Sequence, residues 1–193
     1  MRDTIARDGD LTIRRMRDDP ADYALFVRWR NEPHVAEWWT TDDDPTPTTL
    51  ERVIAHYGPR ADHGGDTRCL IELNGRPIGY TQFYRLDAYP QEVRDMGLEL
   101  DEDAFAIDIF VGETAFVGRG IGSRTVDALS TFLFEERGAS QVAIVTAVDN
   151  HRAQRAYEKA GFRTIGVVLD TDVRDGERVR SVLMTRERPD LTS

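Results

Sequence analysis

A single α/β domain built on a mixed sheet is the fold this sequence predicts, and three observations predict it. Two strand-like runs, 68–73 and 76–85, flank Asn74-Gly75, a dipeptide that readily supplies the two left-handed residues of a tight hairpin. Further along, strand-like and helix-like runs alternate over 104–111, 123–137, 141–148 and 150–161. The 193 residues are enough for one domain with a substantial core, and no apolar stretch approaches the roughly 20 residues that span a bilayer. The expected organisation is a tail over 1–10, one domain over 11–186 and a tail over 187–193.

The elements follow from local signals. Leu11 to Arg17 alternates apolar and polar residues and reads as a strand; Asp18-Asp19-Pro20 then starts an amphipathic helix reaching about Arg30. A short helical segment covers Glu32 to Trp39, a polar loop Thr40 to Pro47, a third helix Thr48 to Tyr57, and a turn-rich linker Pro59 to Asp66. After the hairpin comes a long acidic loop, Leu86 to Asp103, and then the apolar central strand, Ala104 to Val111. The next helix stops at Gly138, Gln141 to Val148 is a β-branched strand, and Asp149 or Asn150 caps a helix ending at Gly161. Strands over Phe162 to Leu169 and Arg178 to Thr185, turning at Asp175-Gly176, close the chain.

Charge narrows the function. A formal net charge of −10 argues against nucleic acid, whose phosphates need a basic partner, and permits a cationic one. Eight acids lie between Asp87 and Asp108 against the single base Arg94, whereas from His151 onward nine Lys or Arg face seven acids. The acidic stretch reads either as a solvated loop kept soluble by its charge or as an acidic wall for an amine-bearing substrate, near a basic shelf for an anionic cofactor. The polar opening MRDTIARDGD is unlike a signal peptide, so a cytoplasmic protein without a membrane partner is expected. Cys69, the only cysteine, sits in an apolar run and reads as a buried strand residue. Neither sequence nor composition calls for a metal, and both a monomer and a homodimer are compatible with the chain.

Val117-Gly118-Arg119-Gly120-Ile121-Gly122 stands between the central strand and a helix. Glycines let the backbone approach an anion, and the free N–H groups of a helix's first turn favour phosphate, so the run reads as a pyrophosphate cradle or as a tight turn. Its third glycine comes one residue too early for the dinucleotide fingerprint. The Gly-Lys-Ser/Thr of a nucleotide triphosphate loop is absent, Lys159 being the only lysine. Downstream, Tyr157 follows the cap residue Asn150 by almost two helical turns, which puts both on one helix face.

That loop, together with Asn150-His151-Arg152-Ala153-Gln154-Arg155-Ala156-Tyr157-Glu158-Lys159-Ala160-Gly161-Phe162, resembles the acetyl-CoA-binding half of the GNAT acyltransferase superfamily. Within it, the chain is most similar to the aminoglycoside 6'-N-acetyltransferases. The likeness extends through Trp29-Arg30-Asn31-Glu32-Pro33-His34-Val35-Ala36-Glu37-Trp38-Trp39, the hairpin Asn74 to Gln82, and Ile107-Asp108, covering roughly Leu11 to Thr185.

The resemblance implies a mainly antiparallel sheet, splayed at its middle strands and flanked by helices, and acetyl-CoA as cosubstrate. It implies backbone donors at Ile109, Phe110 and Val111 for the thioester and pantetheine, and a pyrophosphate site formed by Val117, Gly118, Arg119, Gly120, Ile121, Gly122 and Ser123. It implies further that Asn150 and Ala153 border the pantetheine and that Tyr157 protonates the departing thiolate. Asp108 is the candidate for positioning the amine and accepting its proton, directly or through water, or for acting mainly through its charge. For the acceptor, a cationic small molecule, the expected residues are Glu37, Trp38, Trp39, Tyr80, Gln82, Glu102, Asp103, Asp108, Asp172 and Asp175. Two departures concern the acceptor: Val148-Asp149 precedes Asn150 where some relatives have Asp-Pro, and the acidic loop lacks their Trp residues. Acylation of another amine (a polyamine, a peptide N-terminus or a siderophore precursor) and a non-catalytic acyl-CoA-binding protein are the alternative readings.

Overall fold

The computed structural model describes residues 3–58, 65–98, 101 and 103–189. Among them, eight strands form one sheet: β1 (Thr4–Asp8), β2 (Leu11–Arg15), β3 (Thr67–Leu73), β4 (Arg76–Arg85), β5 (Phe105–Val111), β6 (Gln141–Ala147), β7 (Arg163–Arg174) and β8 (Glu177–Glu187). Their spatial order is β1-β2-β3-β4-β5-β6-β8-β7. All neighbours are antiparallel except β5 and β6, which run parallel and pair only at Phe105 with Val142 and Ala106 with Ala143. Beyond Ala106 the two strands part, so Ile107–Val111 keeps β4 on one side and faces an opening on the other. The expected splay thus lies in the middle of the sheet.

The helices are α1 (Pro20–Arg30), α2 (Pro33–Trp39), α3 (Leu50–Tyr57), α4 (Pro90–Asp95), α5 (Ile121–Glu136) and α6 (His151–Lys159). Their starts are chemically marked. The Asp19 carboxylate accepts the Ala21 and Asp22 N–H groups at 2.8 and 3.0 Å, Thr49 Oγ1 accepts that of Arg52, and Asn150 Oδ1 accepts that of Ala153 at 3.2 Å. α5 and α6 cover one sheet face through Val126, Leu129, Leu133 and Tyr157, packed on Ile13, Ile71, Ile107 and Ile144. On the opposite face, Phe26 and Trp29 of α1 pack with Val35, Val53, Leu70, Tyr80 and Phe110. The entry to α1 is pinned by a buried pair, Arg14 donating to both Asp22 oxygens at 2.6 and 2.8 Å and to Glu72 at 2.7 Å. Burial pushes the Asp22 carboxyl up, but those bonds and the Arg17 N–H outweigh it and hold the group below its ordinary range.

Three elements differ from expectation. Residues 4–8, read as tail, form β1, because Gly9, at φ +57, closes a tight turn after Asp8 and Ile5 packs on the main core. The acidic loop contains a 3-10 turn, Leu86–Ala88, and α4. There Pro90 opens the helix and Val93 and Leu98 reach a third apolar cluster with Leu86 and Leu183, contacts that charge composition conceals. β7 runs five residues past Leu169, because its register against β8 breaks between Leu169 and Val173 and then resumes. Such an irregularity re-aims side chains, and here Asp170, Thr171 and Asp172 end up in a cavity wall.

Candidate active site

Two cavities open where the sheet splays. The first, of about 440 Å³, runs along the N-terminal ends of α5 and α6 and is lined by Ile109, Phe110, Val111, Val117, Gly118, Gly120, Ile121, Gly122, Ser123, Asn150, Ala153 and Tyr157. Three cations, Arg152, Arg155 and Lys159, join them, and among the described residues no carboxylate lines it. Gly118 and Gly120 take φ +76 and +79, a left-handed conformation that side chains rarely adopt, and a Cβ at either would meet open space. The loop is therefore an open cradle at the start of a 16-residue helix, fit for a phosphorylated group.

The second cavity, of about 320 Å³, lies between β5, β6 and β7 under α2. Among the described residues five carboxylates line it, Asp44, Glu92, Asp108, Asp170 and Asp172, against the single guanidinium of Arg174. Trp38, Trp39, Ile109, Asn150 and Tyr157 border both cavities and form the passage between them. A basic chamber thus meets an acidic one at a tyrosine, an asparagine and two indoles.

Asp108 is carried by strand alternation. Phe105, Ile107 and Ile109 turn to the helices α5 and α6, so Ala106, Asp108 and Phe110 share the other face. Its Oδ2 accepts the Gln82 Nε2–H at 2.7 Å, and the Thr81 hydroxyl donates to its carbonyl at 2.8 Å. Burial pushes the carboxyl up to about 7; the Gln82 bond opposes this, and the charges of Asp172, Asp170 and Asp66 add to it. Asp172 is likewise pushed up to about 6, by withdrawal from water into the cavity and then by Asp170. Burial, followed by the Asp108 charge, holds the Tyr157 phenol far above its usual value, so at neutral pH it keeps its proton.

The indoles are fixed from two sides. Trp39 stands edge-on to Phe110 at 4.8 Å and under the Arg30 guanidinium at 5.7 Å, and Arg30 itself pairs with Asp44 at 2.7 Å. The β7–β8 turn clasps the segment after α2: Asp42 accepts the Asp175 and Gly176 N–H groups at 3.0 Å each, and Arg174 donates to the Trp38 and Glu37 carbonyls.

Several expected residues lie elsewhere. Tyr80 is fully buried in the aromatic cluster and donates to Gln82, and neither lines a cavity. Glu37 contributes its carbonyl to the clasp and Asp175 its N–H, while their side chains do not line the cavities. Asp103 pairs with Arg85 at 3.3 Å on the surface. Arg119 lies over the Phe116 ring at 6.0 Å and outside both cavity walls. Glu102 lies outside the described residues. Conversely, Asp44, Glu92, Asp170 and Arg174 were not anticipated, nor were Arg152, Arg155 and Lys159, although their spacing of three and four marks one helix face.

The acetyltransferase (GNAT) domain family matches residues 18–169. The chain is 32% identical over 167 residues to an aminoglycoside N(6')-acetyltransferase type 1 of Klebsiella pneumoniae, covering 84% of this chain and 78% of that protein. It is 22% identical over 149 residues to an N-hydroxyputrescine acetyltransferase of Acinetobacter baumannii, covering 74% and 66%. Among solved structures, AAC(6')-Ib in complex with ribostamycin and coenzyme A superimposes with a TM-score of 0.79 at 29% identity, covering 93% and 94% of the two chains.

Proposed function

The chain belongs to the GNAT acetyltransferase family, and from that premise we propose that it moves the acetyl group of acetyl-CoA directly to a primary amine of a polycationic small molecule, best the 6'-amine of an aminoglycoside. The observation that carries this reading is the meeting of a basic and an acidic cavity at Tyr157. Bound acetyl-CoA supplies the acetyl group as a thioester.

The chain's own residues do the rest. The glycine cradle and the cations of α6 hold phosphate, and the splayed strand presents the backbone of Ile109–Val111 toward the passage. Asp170, Asp172 and Glu92 attract an ammonium-bearing acceptor, the indoles offer faces to a sugar ring, and Asp108 removes the proton that would block attack. Tyr157 then gives its proton to the sulfur side.

Thiol release from acetyl-CoA is expected to depend on added kanamycin- or ribostamycin-type amines, with the product mass locating one acetyl group. A panel in which only spermidine or a hydroxylated diamine supports release would transfer the activity to polyamines, and release independent of any amine would end the transferase reading. Reversal of one cation, Arg155→Glu, is expected to raise KM for acetyl-CoA by roughly tenfold, the size of one charge-assisted contact, with kcat little changed. An unaltered KM would detach the α6 cations from the phosphates.

A further inference from the structure

Three consecutive residues of β4 converge on Asp108. Tyr80 Oη donates to Gln82 Oε1 at 2.7 Å, Gln82 Nε2 donates to Asp108 Oδ2 at 2.7 Å, and the Thr81 hydroxyl holds the Asp108 carbonyl from the other side of the strand. Gln82 and Asp108 are direct cross-strand partners. The Tyr80 ring is clamped by Phe26 at 4.7 Å and Phe110 at 5.5 Å and is fully buried.

We infer that Tyr80 and Gln82 are positioning residues, which keep Oδ2 of Asp108 an acceptor and leave Oδ1 as the atom that takes the proton of the acceptor amine. The inference rests on the reading of Asp108 as the carboxylate facing that amine.

Direction within the chain of bonds makes the assignment. A phenol has one proton, a side-chain amide has a donor end and an acceptor end, and an ionised carboxylate only accepts. With the Tyr80 proton spent on Oε1, the amide cannot turn without setting Oε1 against the carboxylate and leaving the buried phenol proton unpaired. A proton placed on Oδ2 would point at the Gln82 N–H. Oδ1 accepts no hydrogen bond from the described residues, and Asp108 lines the acidic cavity. Proton transfer therefore breaks one ammonium N–H bond and forms one O–H bond at Oδ1. The lone pair stays on nitrogen, and both partners become neutral.

The same polar bonds set the pH at which Asp108 is ready. The carboxylates of Asp44, Glu92, Asp170 and Asp172 and the guanidinium of Arg174 share its cavity, with the phenols of Tyr57, Tyr84 and Tyr157, and Asp66 adds its charge from outside. None of these is hydrogen-bonded to the Gln82 amide, so a change confined to Tyr80 or Gln82 leaves their charges in place.

The test is the pH profile of kcat/KM with one amine, measured for the wild type, Gln82→Met and Tyr80→Phe. Loss of one hydrogen bond to a charged group is expected to move the acid limb up by about one pH unit in Gln82→Met, a roughly tenfold loss below the limb. Tyr80→Phe should move it less, in the same direction, and KM for acetyl-CoA should stay put. A uniform loss with the limb at its wild-type position would make both residues structural and overturn the assignment. Should Gln82→Met fail to fold, Tyr80→Phe, which removes a single oxygen, decides by the same criterion. Asp108→Asn separates the two levels: wild-type turnover there removes Asp108 itself, whereas slow turnover with an unmoved Gln82→Met limb removes only the positioning role.

Discussion

Asp108→Asn is expected to lower kcat/KM by about 10²–10⁴-fold, the usual contribution of a positioned general base. Asn keeps the volume and can still accept the Gln82 N–H, so the loss isolates the missing charge and basicity. In the wild type the rate should rise through about pH 7, where the partly buried carboxyl ionises. Asn should abolish that limb. Stability provides an opposite and independent sign. A carboxyl raised to about 7 in the fold binds a proton that the unfolded chain, with an Asp pKa of about 3.9, has already lost. The folded form therefore loses stability as pH climbs from about 4 to about 7, by a few kcal/mol at most. Asn carries no such penalty, so at pH 8 the variant should melt at or above the wild-type temperature while being far slower. A variant that is slow and also markedly less stable at pH 8 would mean that Asp108 serves packing.

This coupling explains which parts of the site were legible in the sequence. An acid inside Ala106-Ile107-Asp108-Ile109-Phe110 conflicts with strand patterning, and local conflicts of that kind mark places where function outweighs stability. Gly118 and Gly120 were legible because their φ values demand glycine, and Asn150 and Tyr157 because helical period relates a cap to a residue two turns on. The acidic cavity was not. Asp44, Glu92 and Asp170 come from a loop, a short helix and a broken strand register, and meet only because β7 folds back against the segment after α2. Tyr80 misleads for a related reason: its residue type suits a sugar contact, and only the placement of α1 reveals that Phe26 covers it. Arg119, adjacent to the cradle in sequence, turns toward Phe116, while the cations on the cavity wall arrive from the next helix.

Tyr157→Phe is expected to reduce kcat by about 10²-fold while leaving the affinity for acetyl-CoA within about twofold, at the low end of general acid contributions. The ring is buried and packs beside Phe162, so Phe preserves the wall that Tyr157 gives to both cavities and removes only a hydroxyl. That hydroxyl donates to no described side chain or carbonyl, which leaves its proton available where the cavities meet. Because burial and the Asp108 charge hold the phenol protonated well past neutrality, it still carries a proton to give at the near-neutral pH at which the Asp108 carboxyl ionises. Burial raises both groups in the same direction, which makes the carboxyl a stronger base and keeps the proton on the phenol, as the proposed division of roles requires. A thiol leaves readily as thiolate, so the loss should shrink when the leaving group is more acidic than coenzyme A, and an activated aryl thioester should restore most of the rate. Equal kcat for Tyr157→Phe and wild type, or a loss indifferent to the leaving group, would assign protonation of the sulfur to water.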